Sequence, residues 1–101
     1  MTQQEALTLA HTLHNTEMPD HMLARMLSEL EGRIAIEIHG DLAWKDTGKL
    51  SVPNPYDRVY WVYLLAMLDL YENNGTRFAL TYAEFRRAYE AYANHYRNCG
   101  G

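Results

Sequence analysis

The chain holds a single cysteine, Cys99, among its 101 residues, so it can form no internal disulfide. A reducing compartment is the expectation. The place of Cys99 beside Gly100 and Gly101 marks a frayed end rather than a nucleophile. Long apolar runs are also missing. The longest, Val59 to Leu68, falls well short of the roughly 20 residues that a helical membrane span requires, so no membrane is expected. The start, Met1-Thr2-Gln3-Gln4, lacks a basic stretch and gives no expectation of a signal peptide. Positive charge is scarce. Nine Lys and Arg against thirteen Asp and Glu leave a formal −4, which gives no general reason to bind nucleic acid. No glycine-rich phosphate loop and no zinc-ligand spacing occurs.

What is present is apolar and helical. Some 48% of residues are hydrophobic, too many for a disordered chain, and the length suits one domain with a modest core. Four helices are expected. The first runs from about Thr2 to His14, with Thr2 and Glu5 at capping-box spacing and Ala6, Leu9, Ala10 and Leu13 on one stripe. Pro19 suits the first turn of the second. Met22, Leu23, Met26, Leu27, Leu30, Ile34 and Ile38 then recur at the period of a buried face. Gly32 interrupts this run, either for a close helix crossing or as a tolerated glycine.

Residues 39–54 read as a long loop, a feature that is often functional. A short hairpin turning at Asp46-Thr47-Gly48 is compatible with the alternation around Leu42, Trp44 and Leu50. The third helix starts with Asn54 as N-cap, Pro55 at N1 and Asp57 in the first turn, and continues to about Glu72. Being apolar on every side, it should be central. Asn73-Asn74-Gly75 ends it. The fourth helix starts near Thr76, or later if the capping-box spacing of Thr81 and Glu84 marks its start, and reaches about Arg97. Residues 98–101 read as a flexible tail. The predicted fold class is a small antiparallel all-α bundle.

Catalysis would need converging polar groups, and none stands out. His11 and His14 are three apart and could share a metal, but no acidic or cysteine ligand joins them. A solvated face accounts for them, as it does for Glu29, Glu31 and Glu37 on the second helix. His21 and His95 are isolated. No enzyme activity, metal or cofactor is expected. The richest feature is the aromatic series Tyr82, Phe85, Tyr89, Tyr92 and Tyr96, stepping 3, 4, 3, 4. Tyrosine suits half-buried faces and interfaces. The first three read as core against the third helix, and Tyr92 and Tyr96 with Arg97 as a docking end beyond a short bundle's cover. Trp44, Lys45, Lys49 and Leu50 are the loop's interface candidates. Charge is also split: residues 1–75 carry −6 and residues 76–101 carry +2, through sampling or to favour head-to-tail contacts.

Leu27-Ser28-Glu29-Leu30-Glu31-Gly32-Arg33-Ile34 with Ile36-Glu37-Ile38 resembles the second-helix signature of siphophage head–tail connector proteins. So does Pro55-Tyr56-Asp57-Arg58-Val59-Tyr60, continuing Tyr63-Leu64-Leu65-Ala66-Met67-Leu68-Asp69. Arg77-Phe78 through Phe85 to His95-Tyr96-Arg97 follows the same pattern, so the resemblance covers about residues 17–98. The chain departs from the pattern at Met26, Glu31 and Phe78-Ala79. The resemblance implies a viral structural protein, not an enzyme: a ring-forming adaptor on the portal protein that presents a platform to the tail or a stopper protein. DNA would pass through its channel without sequence-specific contacts. The subunit would be monomeric or ring-forming, assembled in the host cytoplasm and located in the virion neck. Under this reading the segment from Tyr92 to Gly101 meets the portal and loop 40–52 faces the channel or tail side. Two other readings stand beside it: a small helical regulatory or binding module acting as a dimer through the exposed end of the tyrosine series, and a metal enzyme.

Overall fold

The computed structural model describes residues 1–99, and these form four helices: α1 (Gln3–Leu13), α2 (Asp20–Glu37), α3 (Arg58–Tyr71) and α4 (Gly75–Asn98). The all-α bundle expected from the sequence is what the chain adopts. Gly100 and Gly101, half of the expected tail, lie outside the described residues. Asn98 belongs to α4, and the Cys99 amide closes its last turn on the His95 carbonyl at 3.0 Å.

α1 opens on the expected capping box. The Glu5 amide donates to Thr2 Oγ1 at 3.1 Å, and the Thr2 amide donates to Glu5 Oε1 at 2.9 Å. Its buried face is Ala6, Leu7 and Ala10. Leu13, expected on the stripe, is instead 51% exposed. α2 buries Leu23, Met26, Leu27, Leu30 and Ile34 as its period predicts, but Met22, in the first turn of the same stripe, is 37% exposed because it lines a groove at that end of the bundle. Each such side chain taken from water is worth about 1.5–3 kcal/mol.

α3 touches the three other helices and buries Val59, Tyr60, Val62, Leu64, Ala66 and Leu68, which is the central role its all-round apolarity predicts. It starts later than the sequence suggests. Residues 54–57 form a turn, in which the Tyr56 amide donates to the Pro53 carbonyl at 2.9 Å. Asp57, not Asn54, is its N-cap residue. Asn73, at φ 57°, ends the connection from α3, and Asn74 Oδ1 caps α4 by accepting from the Arg77 amide at 3.2 Å. α4 then runs unbroken past Thr81. The Thr81 hydroxyl donates to Asp69 Oδ2 at 2.9 Å, so that side chain ties two helices together instead of starting one.

The long connection between α2 and α3 forms no hairpin, and no strand occurs among the described residues. Its polar groups are satisfied in other ways. Gly40, at φ 71°, turns the chain out of α2, and the Asp41 amide returns to the Ala35 carbonyl at 2.8 Å. Asp41 and Asp46 side chains accept from the Ala43 and Gly48 amides two residues on, the local turn that short carboxylates favour. Val52 then enters the core, 1% exposed. Gly32 explains the path of the connection. A Cβ built there would lie 2.7 Å from the Trp44 ring, so the close approach at this glycine is to a loop tryptophan and not to a crossing helix.

Candidate interaction surface

α3 and α4 form an antiparallel hairpin, and α4 is ten residues longer (24 against 14). About 15 Å of α4 therefore projects past the start of α3. The sequence leaves Tyr92 and Tyr96 bare on this overhang. The structure covers them with the α2–α3 connection. Tyr92 is 4% exposed, its hydroxyl lies 2.7 Å from His39 Nε2, and its ring meets Tyr56 at 6.0 Å between centroids. Tyr92 is thus a core residue and not a contact for an outside partner. Tyr96 is half-buried, with its ring 4.6 Å from that of His39. His95 is not isolated either: it stacks on Tyr56 at 4.5 Å. Of the candidates Tyr92, Tyr96 and Arg97, Arg97 is the exposed one.

The loop candidates come together. Trp44, Lys45, Lys49 and Leu50 line one pocket of about 590 Å³ between the connection and α2, with His39 on the same wall. Trp44 and Leu50 are half-buried, and Leu50 packs on the core. Lys45 and Lys49 are exposed. Through His39 this pocket adjoins the Tyr92–Tyr96 end, and its lining sets the exposed acid Asp41 beside Lys45 and Lys49.

Beneath the pocket lies a buried acid that does not fit the solvated face expected for Glu31. Glu31 is 4% exposed. It accepts from the Tyr60 hydroxyl at 2.6 Å and from the Ser51 amide at 3.1 Å. The Tyr60 oxygen in turn accepts from the Val52 amide at 2.9 Å. Burial, and then the Glu31 carboxylate, push the Tyr60 phenol far above its ordinary range. The signal was in the spacing: Leu27, Glu31, Ile34 and Ile38 step 4, 3, 4, so Glu31 sits within the apolar stripe. Glu29 and Glu37 are exposed as expected. Glu37 also accepts from the Tyr89 hydroxyl and, at 2.9 Å, from Arg33 Nε. These two bonds hold its carboxyl below the usual range, the tyrosine contributing most.

The opposite end of the bundle has a second buried acid. Asp69 is 0% exposed. Its Oδ1 lies 3.4 Å from His14 Nε2 and 3.7 Å from Arg77 Nε, with no hydrogen bond of good geometry. His14 also reaches Glu72 Oε1 at 3.2 Å. His11 turns away to Asp20 at 2.7 Å. The two histidines thus share no site, and His14 lies inside the fold instead of on a solvated face. Among the described residues no three His, Cys, Asp or Glu side chains converge as a metal would need. Among the described residues no helix is long and apolar enough to cross a membrane. What the arrangement offers chemically is a set of shaped, charged surfaces. Compared with protein-family models, with curated proteins and with solved structures, the chain finds no match in any of the three.

Proposed function

We propose that the chain is a head–tail connector subunit, a structural adaptor that joins a ring on the portal protein and offers a platform to the tail or stopper. One observation carries this reading. The segments that resemble the connector family are the ones that interlock in this fold: Glu31 of the first with Tyr60 of the second, and Tyr56 of the second with Tyr92 and His95 of the third.

In this reading the exposed side chains of Lys45, Lys49 and Arg97 meet the portal or tail. Deleting residues 92–101 is no clean test of that, because Tyr92 and Ala93 belong to the core and their loss would unfold the end of α4. Reversing charge at exposed positions is cleaner. Purified portal-bearing capsids mixed with wild-type protein should acquire a ring below the portal, visible by electron microscopy. The triple variant Lys45→Glu, Lys49→Glu, Arg97→Glu should stay folded and leave the portal bare. Wild-type protein that never occupies the portal would overturn the connector reading. The dimeric-module alternative is weakened because the aromatic end it would use is turned inward: Tyr92 is buried and Tyr96 rests on His39.

A further inference from the structure

We propose that two unlike grooves at opposite ends of α3 form a head-to-tail contact between copies of this chain. The proposal rests on the connector reading and gives its ring a seam. The first groove, about 670 Å³, lies between the α1–α2 link and the end of α3. Met18, Met22, Leu68 and Tyr71 make its apolar wall, and its charged residues are Glu17 and Glu72, a formal −2. Tyr71 is 61% exposed, and Leu13 and Met22 are also exposed at this end of the bundle. Large apolar side chains gathered on an exposed surface mark an interaction site, and methionine adapts its shape to an incoming surface.

The second groove, about 350 Å³, lies between the start of α3 and the middle of α4. Its base includes Ala88 and Ala91, and Arg58 and Arg87 flank Glu84, a formal +1. The exposed face of α4 runs from this groove at Ala91 through Arg87 and Ala83 to Leu80, back toward the end of α3 that holds the first groove, in steps of 4, 4 and 3 on one side of the helix. Leu80 is 66% exposed. Small residues on both sides of Arg87 let a partner approach closely, so that the guanidinium, held by Glu84 in the free chain, exchanges to the partner's acid.

The occupant follows from charge and placement. An apolar groove rimmed by acid suits an apolar face carrying arginine, and this chain supplies both. The grooves are separated by most of the length of α3, about 20 Å for fourteen residues. A two-fold contact pairing either groove with itself would set like charges opposite each other, which is unfavourable. Pairing unlike grooves of successive copies is heterologous, and such contacts close into rings or continue as filaments.

Cysteine cross-linking tests this. In a Cys99→Ser background, full-length Met22→Cys and Ala91→Cys proteins are mixed at high concentration under mild oxidation. The mixed disulfide should form about tenfold faster than either like pair, the selectivity expected of charge-matched faces. Glu17→Lys on the first protein should slow it, and adding Arg87→Glu on the second should restore much of the rate. Circular dichroism checks that each variant is folded. Equal rates for mixed and like pairs, absence of cross-linking, or failure of the second reversal to restore the rate would overturn the proposal. The connector reading fails separately, if the cysteine variants cross-link in this way yet wild-type protein leaves the portal bare.

Discussion

The Tyr60 hydroxyl donates to Glu31 Oε1 at 2.6 Å while accepting from the Val52 amide at 2.9 Å. A single phenol thus joins α2, α3 and the connection between them. Replacing Tyr60 with Phe keeps the ring but leaves a buried carboxylate and a buried amide each short of a partner. The expected cost is about 2–4 kcal/mol, at 1–3 kcal/mol for each unsatisfied group and more for a charged one. Urea unfolding measures it. Glu31→Gln in the Tyr60→Phe background should recover part of the loss, because a neutral amide tolerates burial better than an unpaired carboxylate.

Gly32 holds Trp44 against α2, and a side chain there displaces the ring. Gly32→Ala should change stability little, since a gain of about 1 kcal/mol in helix propensity offsets lost packing. The ring would nevertheless shift outward. Red-shifted tryptophan emission and faster tryptic cleavage after Lys45 and Lys49 are the expected signs. Unchanged emission and cleavage would mean that the loop does not depend on this contact.

His14 stands between Asp69 and Glu72. His14→Ala removes a neighbour at 3.4 Å from a fully buried acid that keeps its bond from Thr81 and should cost about 1–3 kcal/mol, the range for a buried polar group left short of a partner. Adding Asp69→Asn should return part of it. A double-mutant cycle by thermal or urea unfolding reads the coupling.

Four tyrosines should ionise late. Burial raises Tyr60, Tyr63, Tyr89 and Tyr92 above the ordinary value, Tyr89 to about 12, with Glu37 adding to its shift. A raised phenol favours the folded state below the unfolded-chain value near 10, and that contribution fades as pH climbs through the folded value. Absorbance at alkaline pH should therefore show a late phase that coincides with loss of helix. At the acid end the sign reverses. The lowered Glu37 carboxyl contributes stability that is lost as pH falls through its folded value, and Tyr89→Phe should diminish that loss.

Helix positions and the central place of α3 could be read from periodicity, because apolar spacing and caps are local. Partner choice could not. Glu31 and Asp69 carry charge, and their type points to solvent even though their register points inward. Only the facing groups, Tyr60 for one and His14 with Thr81 for the other, account for their burial. Tyr92 shows the same limit from the other side. Counting turns of α4 against α3 gives an overhang correctly, but what covers it comes from Tyr56 and His39, at distances along the chain that spacing does not encode. Trp44, Lys45, Lys49 and Leu50 share one pocket because they lie close together on a single connection, a proximity that the sequence does carry.

The hairpin of α3 and α4 has an implication for the order in which the molecule is built. The two helices are joined only by residues 72–74, so their contacts close short loops and can form early. The bond from Tyr60 to Glu31 spans 29 positions and comes at a greater entropic cost. The connection that displays Lys45 and Lys49 is seated by that late bond. A full-length chain that is only half folded would hold the hairpin without this surface, and a partner that reads the surface would engage only subunits whose folding is complete.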